Sequence, residues 1–298
     1  MKMVKRAFVA GLGLLFGASP AMAAWSDVNL RVGVTELSRE IYNLHMLILW
    51  ICVVIAAAVF SVMIYSIATF RKSKGAVPAT FDHNTKAEVI WTVIPVVILV
   101  AMAVPAAKTL VKIDDTRGSE LTVKVTGYQW KWQYEYVGEG VSFFSTLARP
   151  SDAARQLDSG IEPASVENYL LEVDNPLVVP VGRKVRVLIT ANDVIHAWWV
   201  PDFGMKRDAI PGYINEMWFN AEKPGIYRGQ CAELCGRDHG FMPVVVEVKP
   251  QDEFDAWLEA QKAARQAALE PAARAAALAP AVDTTVEPAT TLRVANAE

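Results

Sequence analysis

Two stretches of the chain, Met46 to Phe70 and Val89 to Ala107, contain no charged side chain. Each is long enough to cross a hydrocarbon core of about 30 Å as a helix, the form that satisfies every backbone polar group within the segment. Buried core helices are the alternative, which unbroken apolarity of this length disfavours. Between the stretches lies FRKSKGAVPATFDHNTK, where Arg71, Lys72, Lys74 and Lys86 face the single acid Asp82. By the positive-inside rule this loop is cytoplasmic, so both ends of the hairpin and everything after residue 107 lie outside the cytoplasm. From about Glu120 to Pro250 the period changes to two. Val185, Val187 and Ile189 alternate with Arg186 and Leu188, and Val244, Val246 and Val248 alternate with Val245 and Glu247. That period predicts strands with one buried face, punctuated by Gly182, Gly204, Pro211-Gly212 and Pro224-Gly225. The elements add up to a small β-sandwich or barrel carried outside a membrane.

Both ends of the chain read differently. Lys2, Lys5 and Arg6 precede the apolar run Ala7 to Leu15, and Ala21-Met22-Ala23 supplies small residues for cleavage, which together form an export signal. Residues 1–23 are therefore expected to be removed, leaving 24–43 as an external segment before a two-helix membrane hairpin over 44–108. An uncleaved first span is the alternative, but its apolar run is short and broken by Gly11, Gly13, Gly17 and Pro20. The β-rich domain is placed at 115–262, and residues 141–168 within it are polar and helix-prone, reading as an insertion between strands. Beyond residue 262 the chain is alanine-rich and proline-broken, too uniform to build a core. Residues 263–298 are expected to form a disordered or transiently helical tail.

Hydrophobic residues make up 53% of the chain and charged residues 20%, an apolar excess concentrated in the spans. Residues able to bind metals or do redox chemistry are few, with three cysteines and four histidines. Yet CAELCGRDHGFM, residues 231 to 242, holds two cysteines, a histidine and a methionine. Several readings of this cluster are open. Cys231 and Cys235 could form a disulfide in an oxidising compartment, although so small a loop adds little stability. Zinc is a second reading, but it favours cysteine, histidine and carboxylate over a thioether. Thiolate, imidazole and thioether together are the donor set of copper electron-transfer sites. His196, in DVIHAWWVPDFGMK after the strand pattern of Lys184 to Thr190, offers a second imidazole. Alone, a histidine beside tryptophans is more often a packed core residue than a ligand.

GYQWKWQYEY, LLEVDNPLVVP, ANDVIHAWWVPDFGMKRDAIPG and GQCAELCGRDHGFMPVVVEV, preceded by a helical hairpin with EVIWTVIP, resemble subunit 2 of bacterial haem-copper cytochrome c oxidases. The resemblance runs from about residue 40 to 260 in the family's order and omits the signal region, the insertion and the tail. It implies an N-terminal transmembrane α-helical hairpin followed by an all-β cupredoxin-like domain, a Greek-key barrel. That domain would hold two copper ions, the dinuclear copper A centre. Cys231 and Cys235 would be its bridging thiolates, His196 and His239 its terminal imidazoles, Met242 a weak thioether ligand and Glu233 a backbone carbonyl ligand. The Glu233 side chain would reach a magnesium ion shared with the catalytic subunit; without the resemblance it reads as an ordinary exposed acid.

The resemblance also makes Trp130 the point where electrons arrive from cytochrome c. Trp130 and Trp132 are two apart, so a pair of core aromatics on one strand face is the competing reading. Glu135, Glu172, Asp174 and Asp193 would lie on the docking face. Residues 120–255 carry 20 acids and 13 bases, a sign that suits a basic partner and argues against nucleic acid. Glu88, in KAEVIW, matches the family's acid at the mouth of a proton pathway, while a carboxylate favoured by a helix N-terminus explains it almost as well. The sequence departs from the family at Tyr128, where histidine is common, and at Tyr213, where arginine is common.

The chain is thus expected to be an electron-transfer subunit of a respiratory cytochrome c oxidase, in a bacterial inner membrane with two spans. Both ends of the mature chain and the copper domain would be periplasmic. Cytochrome c, soluble or membrane-anchored, would deliver electrons that pass through copper to haem in the catalytic subunit 1. Other oxidase subunits and membrane lipid would surround the hairpin. Four histidines, two of them assigned to copper, cannot supply an oxygen-reducing haem-copper site, and no C-x-x-C-H attaches a haem. A membrane-anchored copper-delivery or thiol-disulfide assembly protein is the main rival, and it would normally show a single anchor and a βα-alternating domain. A quinol oxidase subunit lacking copper is a second rival, opposed by the intact donor set.

Overall fold

The computed structural model describes residues 28–278, with side chains described as far as residue 270. The expected signal peptide, residues 1–23, and the last part of the tail, 279–298, lie outside the described residues.

Helix α1, Glu36–Thr69, begins in a capping box. Thr35 Oγ1 accepts from Ser38 N at 2.9 Å, and Ser38 Oγ accepts from Thr35 N at 3.1 Å, so two orphan donors of the first turn are satisfied. Helix α2, Thr85–Ile113, is capped by Asn84. Both helices are long and apolar enough to cross a membrane. They extend past the predicted apolar runs because their polar ends dock on the domain that follows. Thr35 Oγ1 donates to Phe203 O at 3.0 Å, Val34 N to Asp202 O at 2.8 Å and Trp218 Nε1 to Lys112 O at 3.1 Å. Lys112 also meets Glu36 and Glu40, each at 2.6 Å, which locks the two helices together at that end. Along the rest of the hairpin Val54, Val62, Val97 and their neighbours face outward, a larger apolar surface than a soluble domain exposes.

The remaining strands are β1 (Leu121–Tyr128), β2 (Lys131–Tyr136), β3 (Val141–Ser145), β4 (Leu177–Pro180), β5 (Val185–Ala191), β6 (His196–Val200), β7 (Met205–Ala209), β8 (Asn215–Phe219), β9 (Gly225–Gln230) and β10 (Pro243–Lys249). They form a five-stranded sheet in the order β3-β2-β1-β5-β8, a three-stranded sheet β4-β10-β9, and the hairpin β6-β7. β1 with β5 and β4 with β10 run parallel, so the chain crosses between sheets instead of only folding back on itself. The helical hairpin followed by an all-β cupredoxin-like domain is the fold class expected from the sequence. Val123, Val125, Trp132, Tyr134, Val187 and Val246 fill the core. The Tyr136 hydroxyl ties the sheets together, donating to Val178 O at 2.6 Å and accepting from Val178 N at 3.0 Å.

The structure departs from the sequence reading in three places. Val245 is buried along with Val244 and Val246, because β10 is the middle strand of its sheet and β6 packs against it. The supposed insertion begins later than residue 141, since Val141–Ser145 is β3, paired with β2. A six-residue helix, α3 (Arg149–Ala154), follows it. The tail is helical as far as described: α4 runs Gln251–Leu278, past the expected boundary at 262. Alanine has the highest helix propensity, and the start of α4 is anchored by Phe254 and Trp257 against Tyr136 and by Lys262 against Glu139 at 2.6 Å.

Candidate metal centre

His196 opens β6 and is fully buried. Its Nε2 lies 2.9 Å from Asp193 Oδ1, which orients the ring so that Nδ1 faces the sulfur of Cys231 at 4.0 Å. The imidazole lies against Gly127 of β1, where an added Cβ would come within 2.7 Å of His196 Cδ2. Any side chain at 127 would displace the ring.

The cysteines leave β9 on a loop pinned at both ends. Cys231 N donates to Met242 O, and Ala232 N donates to Ala197 O, each at 3.0 Å. Both cysteines are buried free thiols. Their sulfurs are 3.8 Å apart, and Cys235 Sγ lies 3.4 Å from His239 Nδ1. The Glu233 carbonyl stands 3.3 Å from Cys231 Sγ, with its carboxylate exposed. The ligand atoms of His196, Cys231 and Cys235 all lie within 4.8 Å of one another. Met242, buried, closes the loop beside Cys231. The structure thus brings the donor atoms of His196, Cys231, Cys235 and His239 and the Glu233 carbonyl close together, with Met242 joined to Cys231 through its backbone.

Electrostatics bear on what such a site can hold. Burial opposes ionisation of Cys231, but hydrogen bonds from His196 and from the surrounding backbone outweigh it and bring the thiol down to about 7. Cys235 is pushed up to about 12 by burial and by the adjacent Cys231 sulfur. Two thiolates side by side need cationic charge between them, which a bound metal supplies. Thiolates, imidazoles and a thioether suit copper, so the donor set fits a copper centre.

Other sequence-derived candidates fall around this centre. Trp130 is half-buried in the turn between β1 and β2, while Trp132 is fully buried on β2, so the two do not form a matched core pair. Trp130 Nε1 and Gln129 Nε2 both donate to Cys235 O, at 3.2 and 2.9 Å. The four acids assigned to docking differ. Glu135 is exposed, with Lys124 at 3.7 Å. Glu172 pairs with Arg228 at 2.6 Å, and Asp174 accepts from Thr146 N and Oγ1. Asp193 accepts from Gln129 N and Val194 N, each at 2.7 Å, as well as facing His196. Sequence reasoning missed this orienting role of Asp193; an acid three residues before a candidate ligand histidine was the available signal. Glu88 Oε1 accepts from Asn84 N at 3.1 Å in the first turn of α2, consistent with a helix-capping role. Tyr128 donates to Gln133 at 3.0 Å, and Tyr213 is exposed.

Residues 121–249 match the family model for the periplasmic domain of cytochrome c oxidase subunit II, and residues 23–109 match the model for its transmembrane domain. The probable cytochrome c oxidase subunit 2 of Rickettsia bellii (strain RML369-C) is 40% identical over 227 residues, covering 76% of this chain and 81% of that protein. Cytochrome c oxidase subunit 2 of Cereibacter sphaeroides is 40% identical over 233 residues, 76% of this chain and 77% of that protein. The crystal structure of the periplasmic domain of subunit II of cytochrome oxidase (CoxB) of Bradyrhizobium japonicum is 44% identical, with a TM-score of 0.42, over 49% of this chain and 96% of that one. With its two membrane spans, its all-β domain and its paired thiols flanked by imidazoles, this chain belongs to the cytochrome c oxidase subunit II family, the electron-transfer subunit of that oxidase.

Proposed function

We propose that this chain accepts electrons from cytochrome c at a dinuclear copper A centre and passes them to haem in the catalytic subunit. The reading is carried by two free thiols 3.8 Å apart with an imidazole nitrogen beyond each sulfur. Cys231, Cys235, His196, His239, Met242 and the Glu233 carbonyl would hold the copper. When bound, the copper pair supplies a one-electron store shared through the thiolates. The chain's own part is to keep the donors still. Asp193 orients His196, Ala197 and Met242 hold the cysteine loop by its backbone, and Gly127 leaves room for the ring. The exposed Glu233 carboxylate is available to a magnesium ion at the junction with the catalytic subunit.

Trp130 is proposed as the point where electrons arrive, because its indole N–H joins the backbone of a ligand residue. Glu88 is proposed at the mouth of a proton pathway. The charge of the 71–86 loop favours an inner-membrane topology with the β domain in the periplasm, and the outward-facing apolar hairpin suits lipid and neighbouring oxidase subunits. A reporter fused after residue 78 should then be cytoplasmic and one fused after residue 262 external; finding both on one side would contradict two spans.

Rapid mixing of the purified oxidase with reduced cytochrome c at several salt concentrations tests the function. Copper should be reduced before haem, and the second-order rate should fall as salt screens the acidic face. Among the docking acids Glu135 gives the cleanest variant, since Asp174 and Asp193 also hold local structure. Glu135→Gln should slow association a few-fold at low salt, flatten the salt dependence and leave the copper spectrum unchanged. Haem reduced ahead of copper would contradict the reading.

A further inference from the structure

The polar segment between β3 and β4 meets the metal-ligand loop through one side chain. Arg155, just after α3, is 23% exposed and lies 3.7 Å from Asp238, whose side chain is 15% exposed. The same guanidinium stands 4.4 Å from the centre of the Phe241 ring, and Asp152 holds its Nε at 2.7 Å. Asp238 directly precedes His239, and Phe241 directly precedes Met242. A single cation therefore grips both flanks of the turn that carries two of the proposed ligands. On the other side of Asp238, Arg237 contacts the same carboxylate at 3.4 Å and lies over the Trp130 ring, 5.7 Å from its centre.

The segment is built to keep Arg155 in place. Its neck is closed by an antiparallel bridge between Leu147 and Val173, reinforced by the Asp174 carboxylate on Thr146. Ser151 and Ala154 of α3 are buried, and Ser151 Oγ accepts from Leu170 N at 3.1 Å. Leu170 is left-handed at φ 62°, a conformation that persists in a branched residue only where its surroundings over-determine it. A fully exposed ion pair would contribute little. This one is largely withdrawn from water and has an aromatic face beneath it.

We propose that this segment is a brace on the ligand loop and that Arg155 is its positioning residue, fixing the orientation of His239 and Met242 through Asp238 and Phe241. The brace rests on the copper assignment made above. Its test uses the complete oxidase purified from membranes, comparing the parent with Arg155→Ala, Arg155→Lys and Asp238→Asn. The readouts are copper release to a chelator, the midpoint potential of the centre and its copper hyperfine pattern. Arg155→Ala should release copper about 10-fold faster or more, the range for groups behind metal ligands, with a shifted potential and an altered hyperfine pattern. Arg155→Lys keeps the charge but loses the flat face over Phe241, so it should fall between parent and alanine. Asp238→Asn should move the same readouts in the same direction. If Arg155→Ala does not assemble, the lysine and asparagine variants supply the comparison. Parent-like values in Arg155→Ala, or in both milder variants where it does not assemble, would overturn the brace and leave the copper assignment standing. A parent without copper would overturn both.

Discussion

Replacing Trp130 by alanine should leave cytochrome c binding and copper content nearly unchanged, yet slow electron arrival at the copper centre on the order of 10- to 100-fold, the range for groups hydrogen-bonded behind metal ligands. Docking is set by charge spread over a face, whereas the path inward is set by what lies between donor and copper. The ring sits half-buried in the β1–β2 turn, and its N–H reaches Cys235 O at 3.2 Å, placing an aromatic surface one hydrogen bond from the backbone of a proposed copper ligand. Gln129 keeps that carbonyl satisfied at 2.9 Å when the indole is removed, so the ligand loop should survive the substitution. Stopped-flow reduction of the copper band measures the rate. A variant reduced as fast as the parent would mean the ring only packs and electrons arrive elsewhere.

Cys231→Ser and Cys235→Ser should each abolish the signal of an electron shared between two coppers and lower cytochrome c oxidation by about 100-fold or more, since each removes a proposed copper ligand, a larger loss than the range for groups behind ligands. Serine offers a hard oxygen with a much higher pKa in place of a soft thiolate. Neither sulfur is dispensable in this geometry. Cys231 lies between His196 and Cys235, and Cys235 lies between Cys231 and His239. Metal analysis and paramagnetic resonance of the purified variants check the outcome. In a thiol-disulfide protein, by contrast, one serine substitution would leave the other cysteine able to trap a partner as a mixed disulfide.

The elements legible in the sequence are those whose physics is local. The unbroken apolar run at 89–107 falls within α2 and that at 46–70 ends one residue past α1, and the alternation of Val185, Val187 and Ile189 marks β5 because only one face of that strand is fully buried. Alternation says less at Val245, which is covered on both faces. The proposed copper donors are legible because cysteine and histidine are so scarce that their crowding into residues 231–242 demands a reason. What holds those donors is less legible. The Asp193 to His196 contact depends on a turn, the Trp130 link to Cys235 joins residues 105 apart, and Arg155 reaches Asp238 across six intervening strands that no local pattern encodes. The extent of α4 was hidden for a different reason, since alanine-rich composition favours a helix without showing that Phe254 and Trp257 anchor one.

Cys231 and Cys235 are proposed to act as thiolates bridging copper. The most direct test is the paramagnetic resonance spectrum of the oxidase purified from its native membrane, read together with the copper content and disulfide state of this subunit. Two coppers in this chain and hyperfine structure from one electron shared equally between two copper nuclei are expected, with no Cys231–Cys235 disulfide. A subunit without copper whose two thiols are joined in a stable disulfide would contradict the bridging role.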